Sequence, residues 1–234
     1  MISDRQSHLL TTIIREYIKR AQPVGSQVVT ELYKLPVSPA TVRNDMAALE
    51  ENGYLVQPHT SAGRVPTDRA WHFYLDQILQ EGTMPTVLIH ELTELVRKQA
   101  AADTESLLKS IARKLADCAQ ETVVVAFTPH DLYYTGLSEL FQQPEFEQRD
   151  LVASFSGIMD HLDSVMEQLY PSATEDVQVL IGEDNPFSPD CGAVIVRARV
   201  RGKIAVVTLL GPTRQAYHDS VPLMKFTQQL LQQW

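Results

Sequence analysis

Cysteine is scarce in this 234-residue sequence: the chain has two, Cys118 and Cys191, which stand 73 residues apart and form no CxxC pair. Two such isolated thiols exclude a disulfide-rich scaffold, and without histidines at metal-ligand spacing they exclude a zinc finger. The sequence therefore indicates a reducing compartment and predicts neither a metal nor another cofactor.

Long hydrophobic runs are also missing. The longest purely apolar runs, such as residues 123–127 and 204–207, are far shorter than the roughly 18 residues that a membrane-spanning helix needs. Residues 1–19 carry charges throughout, so no secretory signal peptide is expected. We therefore expect a cytoplasmic protein with no membrane partner.

The chain lacks an excess of positive charge, and its net charge of −9 is unevenly distributed. Residues 1–75 hold 8 Lys and Arg against 7 Asp and Glu, whereas residues 76–234 hold 12 against 22. A nearly neutral segment at residues 1–75, which we call the head, followed by an acidic remainder does not by itself indicate nucleic-acid binding. The placement of individual arginines in the head has to decide.

The head contains several closely spaced residues that are typical of the start of a helix. Capping residues indicate three of them, at Ser3, Ser26 and Ser38. A short apolar strand, a polar loop at 58–64 and a fourth helix come next. The order of three helices, a hairpin and a helix predicts a winged helix-turn-helix domain at residues 1–80.

The rest of the chain predicts an α+β fold with a mostly antiparallel sheet at residues 122–234. Between the two lies a helical linker, residues 81–121, whose apolar positions suggest dimerisation through Leu88, Leu92 and Leu95. These leucines would face their symmetry mates in a two-fold contact. The alternative is that the linker helices simply cover the sheet of their own chain.

The predicted third helix has the pattern of a DNA-reading helix. Its inward side carries Val42, Met46 and Leu49, and its outward side presents Ala40, Arg43, Asn44 and Ala47. Small residues let such a helix approach the major groove, while Arg can bind guanine and Asn can bind adenine through two hydrogen bonds each. Ser38 and Thr41 in its first turn are expected to bind phosphate. The alternative is an ordinary solvated helix face.

The polar loop favours DNA further, because it carries hydrogen-bonding groups and no apolar side chain able to pack. The residues expected to contact DNA there are His59, Thr60, Ser61, Gly63 and Arg64. We expect Arg64 to lie near a minor groove or the phosphate backbone. Ser26 and Gln27, at the start of the second helix, complete the predicted DNA-binding set. A polar loop stiffened by flanking prolines is the alternative.

Long stretches of the chain resemble the HrcA heat-inducible transcription repressor family. They are PVGSQVV (23–29), VSPATVRNDMAALEENGYLVQPHTSAGRVPTD (37–68) and the AWHFYLD that follows, a match that is nearly continuous over residues 5–76. LYYTGLSELFQQPEF (132–146), VLIGEDNP (179–186) and LGPTRQAYHDSVPLM (210–224) resemble the later part of the family's GAF-like domain.

The resemblance implies a dimeric repressor of chaperone operons that binds the inverted-repeat CIRCE operator and is assisted by the GroEL chaperonin. Family members also carry a first part of the GAF-like domain and an inserted dimerising domain before the YYxGLS motif. Here residues 128–131 alone separate the strand that ends at Phe127 from Leu132. The GAF-like domain is therefore expected to be truncated.

Together these observations predict a homodimeric, sequence-specific repressor of heat-shock genes that binds a double-stranded operator and is not an enzyme. Two alternatives stay open. In one, a small molecule bound to the GAF-like half controls the same winged helix. In the other, the winged helix binds a protein and does not touch DNA.

Overall fold

The computed structural model describes residues 2–33, 38–81, 84–99, 101–147 and 149–234. The chain forms two compact units, Met1–Glu81 and Gly82–Trp234, each with a core of its own. Residues 82, 83 and 100 of the expected helical linker lie outside the described residues.

The first unit has the predicted order of elements. They are α1 (Asp4–Arg20), α2 (Ser26–Tyr33), α3 (Pro39–Glu51), β1 (Leu55–Val56), β2 (Val65–Pro66) and α4 (Asp68–Glu81). The capping box of α1 is present, because Ser3 Oγ accepts from Gln6 N at 3.3 Å and Gln6 Oε1 accepts from Ser3 N at 3.0 Å. Ser38 caps α3 as predicted. Ser26 is itself the first helical residue of α2, so the expected N-cap position was wrong by one residue.

Apolar packing joins these helices around α1. The central apolar side chains of α1 pack with buried side chains of α2, α3 and α4, and all of them are 3% exposed or less. Those of α1 are Leu9, Leu10, Ile13 and Ile14, and those of the other helices are Val29, Val42, Met46, Leu49, Trp71 and Tyr74. A bidentate ion pair also holds α1 to α3. Arg5 Nε and Nη2 donate to the two carboxylate oxygens of Asp45 at 2.9 and 2.8 Å. The DNA-facing helix of the prediction is therefore firmly attached to the scaffold.

Besides two short 3-10 helices, Pro144–Glu147 and Gly182–Asp184, the second unit contains six α-helices and five strands within its described residues. They are α5 (Thr86–Lys98), α6 (Thr104–Ala119), β3 (Thr122–Thr128), β4 (Asp131–Thr135), α7 (Leu137–Leu140), α8 (Arg149–Asp160), α9 (Leu162–Ser172), β5 (Gln178–Ile181), β6 (Cys191–Val200), β7 (Lys203–Pro212) and α10 (Tyr217–Gln232). The strands form one sheet in the order β4-β3-β7-β6-β5, and every neighbouring pair is antiparallel. The predicted α+β fold class is confirmed.

Helices cover both faces of this sheet. On one face, α8 and α9 bury Val124, Ile195 and Val206 together with Phe155 and Met166. On the other face, α6 and α10 pack against the central strands. Burial on both faces explains why these strands read as continuous apolar runs, whereas a half-exposed antiparallel sheet would alternate.

The helical linker packs within its own unit, and this corrects one of the predicted dimer contacts. Helix α5 lies against α6 and α10. Leu92 is 0% exposed there, so its side chain is already covered and cannot face a second copy. Its helix packs chiefly on two other helices, whereas α6 contacts β3, β4 and β7, as the alternative expected of the linker helices. Leu88 and Leu95 are half-buried and retain some accessible surface.

A buried carboxyl group lies at the start of β3. Glu121 is 4% exposed, and its Oε2 has no hydrogen-bond partner among the described residues. It lies against the Cα of Gly211, where any Cβ would collide with it. Desolvation raises the pKa of Glu121 well above its ordinary value, and nearby Arg214 opposes that rise while Glu145 adds to it.

We expect Glu121→Gln to remove part of the pH dependence of folding. Because the pKa of Glu121 is raised, the folded state binds more protons than the unfolded state above the ordinary carboxyl pKa, and stability falls as pH rises. The neutral variant lacks this loss. Urea unfolding at about pH 5 and pH 8 should show a smaller difference between the two pH values for the variant. Equal differences for variant and wild type would show that Glu121 is ionised throughout.

Candidate nucleic-acid interface

Helix α3 presents the side that the sequence predicted. Val42, Met46 and Leu49 are at most 1% exposed, and Arg43 and Asn44 project from the exposed side. Neither of these two side chains forms a hydrogen bond or ion pair with another described residue. Their polar groups are therefore available to an external partner.

The first turn of α3 is organised by its own hydroxyls. Ser38 Oγ accepts from Thr41 N at 3.2 Å and lies 3.0 Å from Thr41 Oγ1. Ser38 and its neighbour Ala40 are exposed, and Thr41 is half-exposed. Pro39 has no N–H and the Thr41 N–H already donates to Ser38 Oγ, so the hydroxyls are the groups offered to a phosphate oxygen, and phosphate binding by Ser38 and Thr41 stays a prediction.

The two strands of the hairpin after α3 pair over a very short length. Strands β1 and β2 face each other through two residue pairs, Leu55 with Pro66 and Val56 with Val65. The loop between them, residues 57–64, exposes His59, Thr60 and Ser61. These three residues therefore lie at the tip, as expected for a wing.

Gln57 closes the loop, a role that sequence reasoning missed. Its Nε2 donates to the carbonyl oxygens of Thr60 at 3.2 Å and Ala62 at 2.8 Å. Ala62 N also donates to the oxygen of His59 at 2.8 Å. A glutamine just before a polar loop was the one available signal, and it is not specific.

The loop is also held against the residues that precede α2. Val24 and Arg64 exchange backbone hydrogen bonds, with N–O distances of 2.9 and 3.0 Å. At Gly63 a Cβ would lie 2.4 Å from the carbonyl carbon of Val24 and 2.7 Å from that of Pro23. Only glycine permits this approach, so Gly63 has a structural reason to stand in the loop.

Arg64 differs from the sequence-based expectation. Its side chain is 13% exposed, and its Nε donates to Glu50 Oε2 at 2.9 Å. Sequence reasoning placed Arg64 in a loop without packing side chains and missed Glu50 as its partner, while its expected contact with DNA stays a prediction. The ion pair directs the guanidinium towards α3, and this geometry favours a role in holding the hairpin over a direct phosphate contact.

A groove of about 530 Å3 lies between α2, α3 and the hairpin loop. It collects seven predicted DNA-binding residues: Ser26, Gln27, Arg43, Thr60, Ser61, Gly63 and Arg64. The other five, Ser38, Ala40, Thr41, Asn44 and His59, lie outside its lining. Within the groove Ser26 is 9% exposed, so it offers little surface to a ligand, whereas Gln27 and Arg43 are exposed.

The second unit has a separate open cleft of about 430 Å3 at one end of its sheet. It is lined by Thr104, Glu105, Leu108, Phe127, Thr128, Asp131, Tyr170, Lys203, Ile204 and Ala205. The pairing of β3 with β7 ends at Ala126 and Val206. Beyond this point the Tyr170 hydroxyl donates to the carbonyl oxygens of Phe127 and Ile204, each 3.2 Å away.

Other kinds of site find little support in the described part of the chain. Burial raises the pKa of the Cys191 thiol to about 12 and also raises that of Cys118, so neither thiol is activated. No group of three or more His, Cys, Asp or Glu residues in the described ranges is arranged to hold a metal ion. Among the described helices, none combines the length and hydrophobicity that crossing a bilayer requires.

Comparison with known families matches two parts of the chain. The family described as HrcA protein C terminal domain matches residues 72–221, and the DeoR-like helix-turn-helix domain matches residues 11–67.

Individual relatives match part of the chain. The heat-inducible transcription repressor HrcA of Caldanaerobacter subterraneus subsp. tengcongensis is 40% identical over 125 residues, which cover 53% of this chain and 35% of the relative. The protein of the same name from Geobacter sulfurreducens is 46% identical over 127 residues, or 53% of this chain and 36% of the relative. The chain thus matches only about a third of the length of these curated relatives.

A solved structure supports the fold of the whole chain. A crystal structure of a hypothetical protein superposes with a TM-score of 0.80 at 20% sequence identity, covering 100% of this chain and 98% of that one. At this identity the likeness concerns the fold alone.

Proposed function

The chain belongs to the HrcA family, and from this premise we propose that it is a sequence-specific DNA-binding repressor of heat-shock genes. The observation that carries the proposal is the exposed side of α3, where Arg43 and Asn44 have no partner among the described residues, beside the groove that the hairpin completes. Helix α3 enters the major groove, and the hairpin tip follows the adjacent backbone.

The details of this function are taken from the family resemblance. The operator is an inverted repeat of the CIRCE type, and the GroEL chaperonin assists the protein. Repression is steric, because an occupied operator excludes the transcription machinery. The protein acts in the cytoplasm and catalyses no reaction.

Arg43→Ala tests base readout. If Arg43 donates two hydrogen bonds to a guanine, its loss should cost about 1–3 kcal/mol on the cognate site and flatten the base preference at one position. Fluorescence anisotropy on a set of single-base operator variants measures both effects. The matched control is Arg15→Ala, which removes the same charge from the exposed side of α1, outside the groove.

The two possible failures of this test are informative. Equal weakening on every duplex would reduce Arg43 to a phosphate contact. Unchanged binding by Arg43→Ala, or equal losses in both variants, would remove α3 from the major groove and contradict the proposed function.

We also propose a homodimer, because one winged helix contacts too few bases for a long operator. A two-fold dimer places two copies of α3 about 34–36 Å apart, or at a multiple of that distance, to match an inverted repeat. With Leu92 buried in its own chain, the candidate contacts on α5 are the half-buried Leu88 and Leu95.

Sedimentation velocity at micromolar concentration should show a dimer for the wild type and monomers for Leu95→Asp, which places a charge at the proposed interface. Unchanged thermal melting of the variant would show that the fold is intact. A variant that stays dimeric would move the interface away from α5, and a wild type that is monomeric both free and on DNA would disprove the dimer.

A second candidate function is a repressor controlled by a small molecule, and the cleft of the second unit is the observation that favours it. The volume of about 430 Å3 lies in the range of small-molecule sites. Apolar side chains such as Leu108 and Ile204 line it, and Lys203 forms no ion pair with a described residue. The lining also carries Asp131 and Glu105, the latter paired with Lys109, so Lys203 is the one charged group among the described lining residues that could receive the carboxylate of a ligand with an apolar body.

Benzoate is a suitable probe of the cleft. If a carboxylate pairs with Lys203, millimolar benzoate should raise the melting temperature of the wild type and change its operator affinity, and Lys203→Met should abolish both effects. Lys225→Met, at an exposed lysine of α10, is the charge-matched control. No shift with benzoate, or the same shift in all three proteins, would leave the cleft without a function as an acid-binding site.

A further inference from the structure

The position of the hairpin depends on contacts outside its own strands. Strands β1 and β2 pair through two residues each, and one of these is Pro66, which has no N–H to donate. An eight-residue loop, residues 57–64, extends from this short ladder. Two-stranded hairpins are marginally stable alone even when longer. Something else must therefore hold the loop beside α3.

Glu50, a residue of α3, holds the loop in this position. It stands in the last turn of the helix, and its two carboxylate oxygens accept from opposite arms of the hairpin. Oε1 accepts from the backbone N of Gln57 at 3.1 Å, and Oε2 accepts from Nε of Arg64 at 2.9 Å. Gln57 closes the loop tip, and Arg64 pairs through its backbone with Val24. One side chain thus connects α3 to both arms.

The charge of Glu50 has the wrong sign for a direct contact with DNA. Its side chain is 34% exposed, and its partner Arg64 lines the groove assigned to DNA. A carboxylate close to phosphates repels them. If Glu50 had no other role, its removal would strengthen DNA binding.

We propose that Glu50 is a positioning residue that fixes the hairpin against α3, so that both bind DNA as one preformed surface. This inference rests on the proposed DNA-binding function. The affinity for the operator then depends on a carboxylate that does not itself contact the operator. The loop is already ordered in the free protein, so the free energy of binding is not reduced by the cost of ordering it.

The test compares Glu50→Ala with Glu51→Ala. Both remove one negative charge from the end of α3, but Glu51 is exposed and forms no ion pair with a described residue. We expect Glu50→Ala to bind the cognate duplex about 5- to 50-fold more weakly, with a shallower dependence of the affinity on salt, because the loop loses phosphate contacts. Glu51→Ala should bind as tightly as the wild type, or more tightly.

A conservative variant and a double variant keep the test decisive if Glu50→Ala is unstable. Glu50→Gln retains one acceptor oxygen and should recover part of the lost affinity while removing the same charge. Arg64→Ala and Glu50→Ala should weaken binding by less together than the product of their separate effects, because they break the same contact. Hydrogen exchange at the Gln57 amide should be faster in each variant that lacks the Glu50 carboxylate.

The outcomes separate this inference from the proposed function. If Glu50→Ala and Glu51→Ala both bind as tightly as the wild type or more tightly, the positioning role is wrong while DNA binding stands. If Glu50→Ala weakens binding but leaves the dependence of the affinity on salt unchanged, the loop has lost no phosphate contacts and the positioning role is also wrong. If the wild type itself binds no duplex, the proposed function fails, independently of Glu50.

Discussion

The burial of one side of α3 is the constraint on which the candidate interface depends. Val42, Met46 and Leu49 are packed into the core of the first unit, and the Arg5–Asp45 pair adds a second attachment. These contacts leave the helix one orientation, in which Arg43 and Asn44 face outward. A helix held in this way binds without first having to be ordered, and the free energy of its ordering is supplied by folding.

The hairpin depends on α3 in turn. Because β1 and β2 are so short, the loop takes its position from Glu50, from Val24 and from the close approach at Gly63. The wing in this structure is therefore part of the same body as the helix, and Arg64 serves that attachment. A mobile arm would have to be ordered on binding and would lose affinity for that reason.

The second unit follows a different principle. Its antiparallel sheet is covered on both faces, and polar groups that cannot reach water collect at one end, where Glu121 faces Gly211. At the other end β3 and β7 separate and leave the cleft above Tyr170. The linker helices belong to this covered body, because α5 packs on α6 and α10.

The amino-acid sequence alone predicted the order of the elements in the first unit, the caps at Ser3 and Ser38, and the exposed side of α3. These features depend on residues within one or two turns of each other, so spacing is sufficient to predict them. The antiparallel sheet also followed from its apolar β-branched runs and the intervening turns.

Only the tertiary structure decided which partner covers each polar or apolar group. Arg64 reads as a loop arginine open to DNA until Glu50, 14 residues earlier, is brought within hydrogen-bond distance of it. Leu92 reads as a dimer contact until α6 and α10 close over α5. The physical reason is the same in both cases. Local spacing determines which side of an element is polar or apolar, but the surface that meets that side comes from distant parts of the chain.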